Sequence, residues 1–204
     1  MDGARPVAVA SVTLERVTSS DGTPIAFWRS GAGSPLVLVH GTTAAHWSFT
    51  FLSPILAERF TLYTLDRRGR GESGDAGTYT IEREFEDVAA VVDSLDEPAA
   101  LFGHSYGATV ALGGSLIARN LRKLILYEPA PGFTSVPNEH VERIEELVAT
   151  DEREEALLYA LRSFGLSPAE LDQSRASPTW SCAGRGRPHD CARDPRGRGV
   201  RGRP

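Results

Sequence analysis

Buried strands alternate with helical segments between residues 35 and 127, and this alternation restricts the fold more than any other sequence feature. Four short runs rich in leucine and β-branched residues are typical of strands covered on both faces. They are PLVLVH (35–40), FTLYTLD (60–66), AALFG (99–103) and LRKLILY (121–127). Two neighbouring parallel strands must be joined by a crossover connection, usually a helix. The alternation of strands and helical segments therefore predicts an α/β fold with a mostly parallel sheet and flanking helices.

Other patterns extend this core at its start and between its strands. Two alternating segments around Asp21-Gly22 predict an N-terminal hairpin. A helical segment is predicted over HWSFTFLSPILAERF, bent or restarted at Pro54. An amphipathic helix is predicted over 81–98, stopped before Pro98. Its apolar face comprises Ile81, Phe85, Val88, Val91, Val92 and Leu95. The segment ATVALGGSLIARN predicts a further helix.

The pattern changes after Pro131. Residues 138–175 contain no strand candidate and predict three helices, the last begun by Ser167-Pro168. Such an insertion suits a cap over an active site, and ordinary packing helices are the alternative. The predicted organisation is a core over 1–134, a helical cap over 135–178 and a disordered tail rich in Arg and Gly over 179–204.

Composition indicates a globular protein. The 204 residues are 41% hydrophobic and 24% charged, which is ordinary for a soluble chain. No stretch reaches the roughly 20 apolar residues of a membrane helix, and the N-terminus lacks the features of a secretion signal. We therefore predict a cytoplasmic protein without membrane partners. The sequence does not indicate an oligomeric state.

The peptide GHSYG, residues 103–107, gives the strongest indication of chemistry. Ser105 falls where the strand AALFG must turn sharply into a helix, and Gly103 and Gly107 leave room for that turn. The turn lifts the serine hydroxyl above the sheet. The N–H of Tyr106 then points into the space beside Ser105, where it can donate to an oxyanion. We predict that Ser105 is a nucleophile; a buried turn serine is the alternative.

The peptide HGTT, at the end of the 35–40 strand, is predicted to supply a second donor. Gly41 permits an unusual backbone angle, so the N–H of Thr42 can complete an oxyanion hole. His40 and His104 are predicted to have structural roles in the two turns. A general base must reach the serine hydroxyl from another part of the chain.

Three motifs follow successive predicted strands: HGTTAAHW the third, LDRRGRGESG the fourth and GHSYG the fifth. With these motifs, residues 10–175 resemble the α/β-hydrolase fold family. The resemblance implies an eight-stranded, mostly parallel sheet and a catalytic Ser, acid and His in that chain order. It also implies hydrolysis of esters or related small acyl compounds without a cofactor. In that family DRRGRGES is a structural loop, so Asp66 and Arg70 are assigned to it rather than to a nucleic-acid patch.

A catalytic histidine is not evident. The resemblance implies a histidine after the eighth strand, but no strand is predicted after Tyr127. Glu128 ends the sixth strand, where some relatives have their catalytic carboxylate, and is a candidate acid; a structural role at the cap entrance is the alternative. His46 and His140 are candidates for substrate binding or ordinary surface and cap residues. His189 lies in the tail.

The tail differs in composition from the rest of the chain. Residues 182–204 contain seven Arg and two Asp, whereas the whole chain carries a net charge of −5. This composition is typical of GC-rich coding sequence read in the wrong frame. The hypothesis is that the chain diverges after Trp180 by a frameshift and so lacks the last strands. Nucleic-acid binding by the tail is a weaker alternative, because aromatic residues are missing from it. Zinc binding by Cys182, His189 and Cys191 is also weaker, because their spacing is irregular.

Together these features predict a hydrolase that acts on a small ester or related acyl substrate through Ser105. No cofactor, metal or nucleic-acid partner is predicted. Activity is expected to be impaired because the base is missing. Three alternatives remain open: a ligand-binding remnant without catalysis, an acyltransferase, and a cofactor-free peroxidase with the same serine turn.

Overall fold

The computed structural model describes residues 11–129, 137–177 and 180. The chain divides into two compact units, 1–130 and 131–204. The described part of the first unit contains one sheet. Its strands are β1 (Thr13–Thr18), β2 (Pro24–Gly31), β3 (Ser34–Val39), β4 (Phe60–Leu65), β5 (Ala99–His104) and β6 (Leu121–Tyr127).

The strand order across the sheet is β1-β2-β4-β3-β5-β6. The first two strands form the predicted hairpin, with Thr18 opposite Pro24, and β2 also pairs antiparallel with β4. The remaining pairs, β3–β4, β3–β5 and β5–β6, are parallel. The predicted mostly parallel sheet is therefore confirmed. Because parallel strands share a direction, the ends of β3, β4, β5 and β6 lie along the same edge of the sheet.

Two hydrophobic clusters cover opposite faces of the sheet, which explains the continuous apolar runs. Val37 and Val39 of β3 belong to one cluster with Leu101 of β5. The intervening Leu36 and Leu38 belong to the other. Since successive side chains of a strand point to opposite faces, β3 has no polar face to present to solvent.

The helices of the first unit differ in length from the predicted segments. The predicted segment after β3 contains a 3-10 helix (His46–Phe49) and the short α1 (Ser53–Leu56), which has Pro54 in its first turn. Helix α2 (Ile81–Asp93) ends before Leu95, because Ser94 caps it with its N–H and hydroxyl. Leu95 still packs against the core. Helix α3 (Tyr106–Ser115) begins directly after Ser105.

The described part of the second unit contains the three predicted helices, α4 (Asn138–Ala149), α5 (Arg153–Ser163) and α6 (Pro168–Arg175). Ser167 begins α6 as predicted: it accepts from the N–H of Glu170, whose carboxylate accepts from Ser167 in return. The role of these helices as a cap stays a prediction. The predictions for the tail, including the frameshift, fall on residues 181–204, outside the described part.

None of the helices described is long and apolar enough to cross a bilayer.

Candidate active site

Ser105 occupies a strained turn between β5 and α3. Its backbone has φ 55° and ψ −126°, a region that residues other than glycine rarely adopt. Its N–H donates to the carbonyl of Tyr127 at 3.0 Å, so the turn is tied to the end of β6. The side chain is partly exposed. This is the geometry of a sharp strand-to-helix turn that presents its central side chain above the sheet.

Close packing explains the glycines on either side. A Cβ on Gly107 would overlap the main-chain carbonyl oxygens of Val39 and His40, at the end of β3. A Cβ on Gly103 would lie 2.5 Å from the Cα of Ala108. The start of α3 therefore packs directly on the β3 backbone, at a distance that only glycine permits.

The turn after β3 reaches the same place. A Cβ on Gly41 would lie 3.1 Å from the Cβ of Ser105 and 3.6 Å from its Oγ. Thr42 and Tyr106 line one cavity of about 410 Å³. Among the described residues, neither the N–H of Thr42 nor that of Tyr106 has an acceptor. The structure thus places Gly41 against Ser105 and puts Thr42 and Tyr106 in the lining of one cavity, while an oxyanion hole formed by their N–H groups stays a prediction. The remaining lining residues are Arg67, Arg68, Arg70, Asp75, Ala76, Gly77 and Tyr79.

Both ring nitrogens of the buried His40 are occupied by the main chain. Nε2 accepts from the N–H of Arg67 at 3.1 Å, so Nδ1 carries the proton and donates to the carbonyl of Gly41 at 2.9 Å. Burial and the nearby Arg67 guanidinium lower the pKa of His40 to about 3. The ring is neutral at physiological pH and has no free nitrogen with which to act as a base.

Arg67 forms a buried network that sequence reasoning missed. Its guanidinium pairs with both carboxylate oxygens of Glu84, at 2.5 and 2.7 Å, and donates to the carbonyl of Gly41 at 3.0 Å. It also lies over the ring of Tyr106, 4.6 Å from its centroid. In the sequence, Glu84 looked like part of the polar face of α2. No periodic pattern links it to Arg67.

Tyr79 connects this network to the cavity wall. Its hydroxyl donates to Glu84 at 2.7 Å and lies 2.7 Å from the hydroxyl of Tyr106, which must then be the donor. Burial and the hydrogen bond with Tyr106 raise the pKa of Tyr79. The phenol of Tyr79 therefore remains protonated at neutral pH.

The DRRGRGES loop is held by two buried side chains. Asp66 accepts from the N–H and Nδ1 of His46, both at 2.8 Å, and from Trp28 Nε1 at 3.1 Å. Burial alone would raise the pKa of Asp66, but the hydrogen bonds from His46 hold it below its usual value. Arg68 pairs with Asp87 of α2 and with Asp21 of the hairpin turn.

These contacts bear on two sequence predictions. His46 uses Nδ1 to hold Asp66 and does not line the cavity described above, so substrate binding by His46 gains no support. Arg70 lines the cavity and, within the described part of the chain, donates to the carbonyls of Arg68 and Gly69, at 3.4 and 3.5 Å. Asp66 and Arg70 thus both contact their own loop.

The other candidate groups lie at the sheet edge or in the second unit. The ring of His104 packs on Tyr127, 5.5 Å between centroids. Glu128 is exposed and follows Tyr127 directly, with φ 45°. His140 bonds the hydroxyl of Tyr159 at 2.8 Å within the second unit. His189 lies outside the described residues. Where the structure is described, the hydroxyl of Ser105 has no hydrogen-bond partner.

Backbone strain is concentrated at this edge of the sheet. Four described residues other than glycine have positive φ, and three of them follow strands of the sheet: Thr43 after β3, Ser105 after β5 and Glu128 after β6. Such conformations cost of order 1–3 kcal/mol each and persist where the surroundings enforce them. The described residues contain no group of three or more His, Cys, Asp or Glu that could hold a metal ion.

Comparison with known proteins agrees with the fold described above. A sequence model of the alpha/beta hydrolase family matches residues 36–202. The structure of an alpha/beta hydrolase from Sphaerobacter thermophilus is 38% identical, with a TM-score of 0.74 over 83% of this chain and 68% of that one.

Two curated proteins are each 33% identical over part of their length: a soluble epoxide hydrolase of Corynebacterium sp. and an N-formylmaleamate deformylase of Pseudomonas putida. The matches cover 51% and 53% of this chain. They span 37% and 43% of those proteins, less than half of each. From the family match, the shared architecture and the order of its motifs, the chain belongs to the alpha/beta hydrolase family.

Proposed function

We propose that the chain derives its chemistry from Ser105, as the nucleophile of a hydrolase for small esters or related acyl compounds. The observation that carries the proposal is the strained backbone of Ser105, at φ 55°, with the Gly41-Thr42 turn packed against it. Residues in such costly backbone conformations are concentrated at functional sites, so the strain at Ser105 supports a functional role.

The surrounding groups fit acyl transfer. Attack of the Ser105 oxygen on a carbonyl carbon would place negative charge on the carbonyl oxygen, next to the two turns that carry Thr42 and Tyr106. Their two N–H groups are the donors available to that oxyanion. Expulsion of the alcohol or amine would leave an ester on Ser105, which water then hydrolyses to release the acid.

A serine favours acyl substrates over epoxides. Opening of an epoxide by Ser105 would join the serine oxygen to an alkyl carbon as an ether, which water does not cleave under mild conditions. Attack on an acyl carbon gives an ester, which water cleaves. Of the two curated relatives, the deformylase has a name that denotes removal of an acyl group, so it offers the better analogy for this chain.

The base is the missing part of this proposal. Both nitrogens of His40 are occupied, His46 holds Asp66, and the Ser105 hydroxyl has no hydrogen-bond partner among the described residues. Turnover by this chain should therefore be slow, because a serine hydroxyl without a base to take its proton is a weak nucleophile. The same observation favours a second candidate function, a ligand-binding protein that retains the cavity without catalysis.

Turnover of p-nitrophenyl acetate and butyrate tests the proposal. We expect slow hydrolysis that falls about tenfold to a hundredfold in Ser105→Ala, since only the nucleophile is removed. Intact-mass spectrometry should show an acetyl adduct of about 42 Da on the parent chain and none on the variant. Ser115→Ala, at the end of the same helix, is the matched control and should behave as the parent.

Equal rates and equal adducts in the parent and in Ser105→Ala would contradict a serine nucleophile. If neither protein reacts but both bind butyrate with the same affinity, the ligand-binding alternative is correct.

A further inference from the structure

Two donors hold the carbonyl of Gly41 from the buried side of the turn. They are His40 Nδ1 at 2.9 Å and Arg67 Nη1 at 3.0 Å. His40 is fully buried and Arg67 is 3% exposed, so these bonds are not shared with bulk solvent. Such bonds fix the direction of the carbonyl closely, because the donors cannot turn to water instead.

Fixing this carbonyl also fixes the N–H of the next residue. The carbonyl of Gly41 and the N–H of Thr42 belong to one planar, trans peptide unit and point in opposite directions. With the carbonyl directed at the buried His40 and Arg67, the Thr42 N–H is directed away from them. The Gly41 end of this peptide packs against Ser105, since a Cβ on Gly41 would lie 3.1 Å from the Cβ of Ser105.

The same guanidinium also contacts the second donor residue. It lies 4.6 Å from the ring centroid of Tyr106, whose hydroxyl is bonded to Tyr79. Glu84 accepts hydrogen bonds from Arg67 through both carboxylate oxygens, and it also accepts one from the hydroxyl of Tyr79. One buried ion pair therefore contacts the peptide that carries the Thr42 N–H and the side chain of Tyr106, the second donor residue.

Stability alone does not explain this ion pair. The side chains of Arg67 and Glu84 are 3% and 2% exposed. Desolvating two charges to that degree usually costs as much as the pair returns, and apolar residues of similar volume often serve equally well. A requirement for fixed direction does explain it, since a guanidinium has donors for Glu84 and for the Gly41 carbonyl at once.

We propose that Arg67, held by Glu84, is a positioning residue that aims the Thr42 N–H and seats Tyr106 in the oxyanion hole. The inference rests on the proposed function of Ser105. It assigns to Arg67 no contact with the reacting atoms.

The first test replaces the pair by apolar residues. Arg67→Met with Glu84→Leu leaves no unpaired buried charge, so the double variant should fold. We expect kcat for p-nitrophenyl butyrate to fall about tenfold to a hundredfold, with KM changed less than about threefold, since the lost interaction acts in the transition state. Arg67→Lys keeps the charge but lacks the planar fork, so it should not restore kcat.

A thionoester identifies the step that is lost. N–H groups bind a developing oxygen anion more strongly than a sulfur anion, so an intact oxyanion hole favours the ester over its thiono analogue. The ester-to-thionoester rate ratio should fall in the double variant. It should stay at the parent value in Arg16→Gln with Glu72→Gln, which removes an ion pair of the same loop whose residues do not line the cavity. An unchanged ratio in the Arg67 double variant, with the serine dependence intact, overturns the inference.

A spectroscopic measurement does not depend on turnover. In the full chain labelled with ¹⁵N-threonine, the amide signal of Thr42 should shift in the Arg67 double variant, while those of Thr61 and Thr64 in β4 stay in place. If Ser105→Ala shows that the proposed function is wrong, a shifted Thr42 signal still supports control of this peptide by Arg67. An unshifted Thr42 signal overturns the inference whatever the catalytic result.

Discussion

Gly107→Ala should lower the free energy of unfolding by about 3 kcal/mol or more, at the upper end of overpacking costs. The added Cβ would meet the carbonyl oxygens of Val39 and His40. Both are main-chain atoms, so no side-chain rotation can relieve the clash. Helix α3 would have to move away from β3, and Ser105 would move with it.

Urea unfolding followed by tryptophan fluorescence measures this effect. Gly77→Ala is the matched control for stability, because a Cβ there meets nothing within 4 Å. A loss below about 1 kcal/mol in Gly107→Ala would show that α3 does not pack on β3 as tightly as described.

Acidification below pH 6.5 should destabilise the first unit through the buried ring of His40. The pKa of His40 is lowered to about 3 from an ordinary value of 6.5. Between these two pH values the ring is protonated in the unfolded chain and neutral in the folded chain. The stability is fully present above pH 6.5 and is lost as the pH falls from 6.5 towards 3. Because each tenfold change in proton affinity is worth about 1.4 kcal/mol, the total loss is about 5 kcal/mol.

Between pH 7 and pH 4.5 the contribution of Asp66 is retained, since the pKa of Asp66 is held below its usual value and its contribution is lost at lower pH. Over this window the parent should lose about 2.5 kcal/mol through His40. His40→Gln should be less stable at pH 7 but less dependent on pH, and His140→Gln should follow the parent. Equal pH dependence in the parent and in His40→Gln would mean that His40 accepts a proton without unfolding.

Local chemistry made much of the fold predictable. The run PLVLV has no polar position, and a strand of that kind must be covered on both faces, as β3 is. Gly103 and Gly107 marked a turn that only small residues permit. Ser167 and Pro168 predicted the start of α6, because the signals that begin a helix lie close together in the sequence. The structure adds a capping box between Ser167 and Glu170.

The interior of the site was not predictable in the same way. Glu84 and Asp87 interrupt the apolar pattern of α2 as solvent-facing residues would, yet both are buried against arginines of the loop after β4. Their partners lie 17 and 19 residues away, and no helical or strand period relates such positions. The link between His46 and Asp66 is of the same kind, since it forms only when two strand ends meet.

The strained residues at the carboxyl edge have a consequence for protein engineering. Glycine at position 43 or 128 would adopt the observed backbone without penalty, so heat-resistant variants should be easy to find there. Such variants would also loosen the turns that surround Ser105. A search for thermostability that leaves the site intact is better directed at the opposite edge of the sheet, where the strands begin.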